Sequence, residues 1–183
     1  MLPNSGCILQ KILKQYRPAL NFVLRFFIVY VLLTSLYYYY LSFYHSRPDI
    51  VTEWVAYQSK ELMDLINYKS TTLINEGENF VRFLVNEKPM AVIVEGCNSI
   101  SVIILFLSFV IAFKGNITKT ILFILAGGGV IYLTNLFRIV ILLVGFYEIP
   151  EYRSFLHTIV FPLIIYGMVF VMWMIWVTKL ADK

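Results

Sequence analysis

One cysteine lies where its thiol could act as a nucleophile. Cys97 stands in the segment Glu95-Gly96-Cys97-Asn98-Ser99, directly before a long apolar run. Asn and Ser are good helix N-cap residues, so we expect a helix to begin here and Asn98 and Ser99 to cap it. The free N–H groups and the dipole of a helix N-terminus favour a thiolate. Cys97 is therefore a candidate nucleophile, although a free cysteine is more often a small buried apolar side chain.

An arginine interrupts another apolar run. Arg138 lies eight residues before Phe146, the outer end of that run, which corresponds to ~12 Å along a helix. A charge within a membrane span is costly and usually marks a functional site. Asn135, three residues earlier, shares its helix face and can support its orientation. We expect Arg138 to face the helix bundle; a structural hydrogen bond between helices is the alternative role.

A histidine opens the last apolar run. By itself His157 would be expected at the membrane interface, as is His45 at the end of the first run. Cys97, Arg138 and His157 should nevertheless all lie near the outer leaflet. A thiol, a guanidinium and an imidazole that converge are the groups that acyl transfer requires. This chemistry predicts neither a cofactor nor a metal ion.

The elements that carry these residues are membrane helices. The 183 residues are 60% hydrophobic and 14% charged, a balance that excludes a soluble enzyme and a disordered chain. A spanning helix needs roughly 20 apolar residues, and the second of four candidate runs reaches that length only if its helix begins near Gly96 or Cys97. The four predicted spans cover about 20–43, 97–113, 120–146 and 157–177.

The distribution of charge predicts the orientation. Basic residues prevail in the N-terminal arm, in the 114–119 connection and in the C-terminal tail, whereas the segment between His45 and Gly96 has eight acidic and five basic residues. Cytoplasmic loops are enriched in Lys and Arg, so both termini should lie inside a bacterial cytoplasmic membrane. Cys7 and Cys97 would then face opposite sides and form no disulfide. The first span should be a retained anchor rather than a cleaved signal, and the net charge of +4 implies no nucleic-acid partner.

The segment 45–95 is predicted to form a small insertion outside the membrane. Apolar residues recur at helical spacing from Asp49 to Tyr68, and two short strands, Phe80 to Val85 and Met90 to Val94, flank a turn. The fold class is thus an all-α integral membrane protein: four transmembrane helices in one membrane domain, with an extracytoplasmic helix-plus-β-hairpin insertion between spans one and two.

Aromatic residues and glycines suggest how the spans meet the membrane and each other. The tyrosines 37–40 and the tryptophans Trp173 and Trp176 are expected in aromatic belts at the two interfaces. The glycines 127–129 and Gly167 are expected to allow close approach of helices.

The order and spacing of these motifs resemble the exosortase and archaeosortase family. The run 95–99 is similar to that family's acidic-small-Cys-small-Gly run, with Ser99 in place of the usual Gly. Asn135-Leu136-Phe137-Arg138-Ile139 resembles its Asn-x-x-Arg segment, and His157, before a last apolar helix, resembles its histidine. Residues 157–162 and the Tyr166, Gly167 and Trp173 beyond them are similar to the short F-type exosortases. The resemblance covers roughly residue 90 onward and suggests a minimal catalytic core.

The resemblance implies a membrane cysteine protease-transpeptidase that cleaves C-terminal sorting signals at the outer face of the membrane through a thioester acyl-enzyme. Its partners would be exported proteins ending in a short motif, a transmembrane helix and a basic tail, together with membrane lipid. The acyl group would pass to water, to an amine or to another acceptor such as a lipid or a glycan. Cys97, Arg138 and His157 would be catalytic, and Asn135, Glu95, Asn98 and Ser99 would support them.

Two other classes of function fit the same topology. A non-enzymatic membrane scaffold could bind partners through the insertion without a reactive thiol. A small transporter could line a polar path with Arg138 and His157. Ion routes usually chain several ionisable groups, however, and no acidic residue lies within any predicted span.

Overall fold

The structure is a computed structural model that describes the backbone of residues 5–113 and 115–180, and the side chains from residue 16 onward within those ranges. The described chain is mostly helical and carries one small sheet. Cys7, Lys114 and the tail beyond Leu180 lie outside the described side chains. In chain order the elements are α1 (Ser5–Leu41), α2 (Ile50–Leu65), β1 (Ser70–Leu73), β2 (Val81–Val85), β3 (Lys88–Ile93), a 3₁₀ turn (Glu95–Cys97), α3 (Ile100–Ala112), α4 (Ile117–Glu148), a 3₁₀ turn (Pro150–Tyr152), α5 (Arg153–Phe155), a π-helical turn (Leu156–Val160), α6 (Phe161–Ile175) and a final π-helical turn (Trp176–Leu180).

Three described helical stretches are long and apolar enough to cross a membrane. They are Tyr16–Leu41, Ile117–Glu148 and Pro150–Leu180. Each contains most or all of the first, third or fourth predicted span. These stretches make the chain consistent with a membrane protein by length and composition.

The second predicted span, 97–113, is shorter than expected. Its helix, α3, has 13 residues, or ~20 Å of length, against a hydrocarbon core of about 30 Å. The helix starts only at Ile100 because Ser99 adopts a left-handed conformation, with φ 66°, through which an α-helix cannot continue. The described residues thus provide three full-length candidate spans, whereas the second of the four expected spans is a short apolar helix.

Aromatic contacts join the helices at one end of the bundle. Phe22 of α1 contacts Phe109 and Phe113 of α3, with ring centroids 5.5 and 4.5 Å apart. Trp176 is fully buried and stacks on Phe123 of α4 at 4.9 Å. The expectation that Trp176 belongs to an aromatic belt is therefore wrong, because its ring fills the space between α4 and the end of the last helix.

The second tryptophan of that pair also packs within the protein. Trp173 is half-buried and stacks on Phe109 at a centroid distance of 4.2 Å. In contrast, Tyr38 and Tyr39 on α1 are among the most exposed aromatic residues of the chain. The belt interpretation remains compatible with these two tyrosines.

The insertion contains the expected helix. Asp49 caps α2, and its Oδ1 accepts hydrogen bonds from the backbone N–H groups of Val51 (3.0 Å) and Thr52 (3.2 Å). The outward face of α2 exposes Ile50, Trp54, Tyr57 and Leu65. α2 is thus fixed at its start and presents an unpartnered apolar stripe.

The sheet has three antiparallel strands in the order β1-β2-β3 rather than the two expected. β2 and β3 form the predicted hairpin, whose turn residues Asn86 and Glu87 have positive φ of 50° and 66°, as a two-residue hairpin turn requires. The third strand, β1, pairs with the other side of β2, from Ser70 opposite Val85 to Leu73 opposite Arg82.

Two hydrophobic cores share α4. The core of the insertion joins α2 and the sheet to the second half of α4; it includes Val55, Met63, Phe83, Ile139 and Leu143. The other core joins α3 and α6 to the first half of α4; it includes Phe106, Val110, Ile131 and Val169. The half of α4 that carries Arg138 therefore packs against the insertion.

One glycine allows the close approach of helices. A Cβ at Gly127 would lie 2.4 Å from Phe106 Cζ and 2.6 Å from Met172 Cε, so a larger residue would force the ends of these two side chains to move. Gly128, Gly129 and Gly167 have no such neighbour within 4 Å. The expected packing role is thus confirmed for Gly127, and for the other three glycines it stays a prediction, since none of them contacts another helix among the described residues.

Candidate active site

Cys97, Arg138 and His157 line one cavity. The three residues come from separate elements: the 3₁₀ turn before α3, the second half of α4 and the π-helical turn before α6. The cavity has a volume of about 50 Å³. Its other walls are apolar, formed by Ala91, Val92 and Ile93 of β3 and by Ile139, Leu142, Leu143 and Phe146 of α4.

The thiol stands just before α3. Cys97 is half-buried and ends the 3₁₀ turn, and its N–H donates to Val94 O at 2.8 Å. The N-cap position belongs to Ser99, so Cys97 lies two residues before it. The thiol therefore precedes the first turn of α3 in the chain.

Asn98 and Ser99 fix this turn from inside the protein. Asn98 is fully buried, and its Oδ1 accepts from Ile100 N at 3.0 Å, so it supplies the side-chain cap of α3. Its Nδ2 donates to Tyr37 Oη at 2.9 Å and to Thr52 Oγ1 at 3.2 Å. Asn98 thereby connects the turn to α1 and α2. The expected side-chain cap is confirmed for Asn98, whereas Ser99 holds the N-cap position without a side-chain cap bond, and its Oγ donates to Asn98 O at 2.6 Å.

Asn135 connects the thiol's residue to the guanidinium. Its Nδ2 donates to the backbone carbonyl of Cys97 at 2.7 Å. Its Oδ1 accepts from Arg138 Nη1 at 3.5 Å, the outer limit for such a bond. Asn135 is almost fully buried. The amide of Asn135 thus contacts both Cys97 and Arg138. Asn135 and Arg138 share one face of α4, as their spacing of three residues predicted.

The guanidinium of Arg138 has few partners among the described side chains. Its buried Nε has no hydrogen-bond partner, and among the described residues no carboxylate lies within salt-bridge distance of it. Buried charged donors without partners are costly. A cationic fork without a carboxylate partner in an apolar cavity is suited to bind an oxygen that carries negative charge.

His157 is exposed and makes no hydrogen bond among the described residues. It lies in the π-helical turn Leu156–Val160, and such turns often occur at functional sites. A Cβ at Gly145 would lie 2.9 Å from Leu156 Cδ1, so this glycine leaves room for the Leu156 side chain of the π-helical turn against α4. An imidazole with both ring nitrogens free can exchange protons with a neighbouring group.

Glu95 lies apart from this group. It lines a second, polar cavity of about 70 Å³ together with Tyr44, Arg47, Asp49 and Asn79. Of the four expected supporting residues, Asn135, Asn98 and Ser99 lie at or beside the 3₁₀ turn that carries Cys97. Glu95 lies instead at the junction of α1 and α2.

Four contributors to the site were not expected from the sequence. Tyr37 and Thr52 bond to Asn98, Gly145 seats the histidine's turn, and β3 forms one wall of the cavity. Tyr37 is one of four consecutive tyrosines, and nothing in the sequence distinguishes it from the other three. Thr52 could have been predicted to form a buried hydrogen bond, because a polar residue on the buried face of an amphipathic helix needs a partner.

Comparisons with models of protein families, with curated protein sequences and with solved structures give no match to this chain. Within the described residues, no group of three or more His, Cys, Asp or Glu side chains could hold a metal ion.

Proposed function

We propose that this protein is an exosortase-type cysteine peptidase-transpeptidase of the bacterial cytoplasmic membrane. The observation that carries the proposal is the single cavity lined by Cys97, Arg138 and His157. These are the three residues in which the chain resembles that family. The proposal includes four membrane crossings, with α3 and its preceding turn as the second, both termini in the cytoplasm and the cavity at the outer face.

The cavity residues supply one group for each step of acyl transfer. Cys97 Sγ attacks the scissile carbonyl carbon, His157 accepts the thiol proton, and Arg138 stabilises the oxyanion that forms. The tetrahedral intermediate collapses with cleavage of the C–N bond, and His157 returns its proton to the leaving amine. A thioester on Cys97 remains, and water or an amine or hydroxyl acceptor then takes the acyl group.

The substrates in this proposal are exported proteins that end in a short motif, an apolar helix and a basic tail. Their helix would lie in lipid beside the protein, with the scissile bond just outside. A cavity that borders the insertion suits this placement, because the half of α4 that carries Arg138 shares the insertion's core.

The proposal is tested by trapping the thioester. Membranes containing the protein and a tagged protein from the same genome, with an apolar C-terminal helix and a basic tail, should yield a covalent adduct that hydroxylamine releases. Cys97→Ala should abolish this adduct. Cys7→Ser is the matched control, because Cys7 is the other cysteine of the chain, and it should leave the adduct intact. An adduct that persists in Cys97→Ala would refute the enzyme proposal.

A scaffold function is the second candidate, and the exposed stripe of Trp54, Tyr57 and Leu65 on α2 favours it. Exposed aromatic and aliphatic side chains on one helix face are typical of contact with a partner or a membrane surface. The two candidates are separated by double replacement of Trp54 and Tyr57 with Ser. A scaffold would lose its partner in the double variant and retain full function in Cys97→Ala. The enzyme would lose substrate cleavage in Cys97→Ala and retain it in the double variant.

A further inference from the structure

One edge of the sheet is unpaired next to the cavity. β3 bonds to β2 on one side only, and among the described residues no other backbone group pairs with its outer side. In an antiparallel edge strand, alternate residues direct their N–H and C=O groups outward. Such groups bind another extended chain readily.

The hairpin end of this edge is already blocked. Pro89 has no N–H to donate, and Arg153 Nη2 donates to the carbonyl oxygen of Met90. Proline and charged side chains are common means of protecting an edge strand. The remaining part, Ala91–Ile93, has neither kind of protection and measures ~10 Å.

This unprotected part is a wall of the cavity that contains Cys97. Ala91, Val92 and Ile93 all line it. Ala91 and Ile93 face the core of the insertion, whereas Val92 is 52% exposed. A peptide that paired with Ala91–Ile93 would therefore pass the thiol, the guanidinium and the imidazole.

We propose that the substrate binds by strand addition to this edge of β3. The ligand is an extended segment of about three residues beside the scissile bond, and its backbone pairs with that of Ala91–Ile93. This inference rests on the proposed function and specifies how its substrate is held. Main-chain pairing tolerates varied sequences, so specificity comes from the side chains that enter the apolar cavity.

The opposite edge of the sheet offers a matched control. β1 is also an edge strand, and Leu73 is 45% exposed, close to the value for Val92. Leu73 lines neither the cavity of Cys97 nor the polar cavity beside α1. A probe at Leu73 therefore reports general exposure of the sheet.

The experiment introduces the photo-crosslinking residue p-benzoylphenylalanine at Val92 or Leu73 of the full-length Cys97→Ala protein, in cells with their normal exported proteins. Captured peptides are identified by mass spectrometry after both variants are shown to reach the membrane in equal amounts. We expect Val92 to capture the segment directly before a C-terminal apolar helix, at least tenfold more than Leu73.

Equal capture at both positions, or capture at Val92 of other segments only, would overturn strand addition. The thioester assay separates this failure from that of the proposed function. A hydroxylamine-sensitive adduct on Cys97 without capture at Val92 refutes the docking mode alone. If no adduct forms, both proposals fail.

Discussion

At the scale of single residues, the site depends on one buried amide. Asn135 bonds to the Cys97 carbonyl at 2.7 Å and to Arg138 Nη1 at 3.5 Å. The shorter bond fixes the turn, while the longer one leaves the guanidinium free to shift toward an incoming oxygen. Asn135 is thus a positioning residue, and the chemistry falls to the three residues that line the cavity.

Replacement of Arg138 should slow formation of the acyl-enzyme. Arg138→Gln removes the cation that faces the cavity, and loss of one oxyanion donor typically costs about 10²–10³ in rate. Arg138→Lys keeps the charge without the planar fork, so we expect an intermediate rate. The measurement is the rate of thioester formation in membranes. The control is Arg25→Gln, at an exposed position on α1, which should have the wild-type rate. A wild-type rate in Arg138→Gln would exclude the oxyanion role.

Ser99 occupies a backbone conformation that glycine adopts more easily. Its φ of 66° costs an L-residue roughly 1 kcal/mol. Ser99→Gly should therefore raise the free energy of unfolding by about 0.5–1 kcal/mol, even though the bond from Ser99 Oγ to Asn98 O is lost. Thermal unfolding in detergent measures this change. Ser101→Gly, within α3, is the control and should lower stability by about 0.5 kcal/mol.

At the scale of elements, hydropathy and periodicity predicted the long helices, α2 and the β2–β3 hairpin. They could not predict the late start of α3, because no hydropathy or periodicity pattern marks the left-handed conformation of Ser99 that precedes it. β1 is too short and polar, Ser-Thr-Thr-Leu, to be recognised before β2 pairs with it. The convergence of the three site residues on one cavity was expected from the membrane level predicted for each of them. The position of Glu95 in a separate cavity follows from the 3₁₀ turn, which the sequence did not reveal.

The contact of α4 with α3 and α6 should depend on Gly127. Gly127→Ala places a Cβ against Phe106 and Met172, and such overpacking typically costs about 1–3 kcal/mol. The adjacent Gly128→Ala meets no atom within 4 Å and should stabilise α4 by up to about 1 kcal/mol. The two variants should therefore shift the unfolding temperature in opposite directions. Equal shifts would contradict the packing described here.

The link between α2 and β1 should weaken in acid. Lys60, 2.8 Å from Asp64 Oδ2, and the backbone N–H of Ser70, 2.9 Å from Oδ1, lower the pKa of Asp64 below its usual 3.8. A carboxyl with a depressed folded-state pKa stabilises the fold above its unfolded pKa. This contribution is lost as pH falls through the folded value.

The expected result is a fall in unfolding temperature below about pH 4 that is smaller in Asp64→Asn than in the wild type. Glu61→Gln is the control, because Glu61 also contacts Lys60, at 3.3 Å, but none of its hydrogen bonds reaches β1. It should retain the wild-type profile. Identical profiles for the wild type and Asp64→Asn would show that the link contributes nothing to stability.

At the scale of the whole molecule, α4 joins two cores of different character. Its first half packs with α3 and α6 among aromatic and aliphatic side chains, and its second half packs with α2 and the sheet. The cavity lies along the second half, beside β3 and the π-helical turn. In the proposed function, substrates would thus meet the site where the helix bundle and the insertion join.

This arrangement predicts the accessibility of the two cysteines. If the insertion lies outside, a membrane-impermeant maleimide should label Cys97 in intact cells of Cys7→Ser, whereas Cys7 in Cys97→Ser should be labelled only after permeabilisation. The control is Ser46→Cys in a chain that lacks both native cysteines, since Ser46 is exposed just before α2. Cys97 is half-buried, so it should be labelled more slowly than this control. Labelling of Cys7 alone in intact cells would reverse the orientation, and the cavity would then face the cytoplasm, where an exported substrate could not reach it.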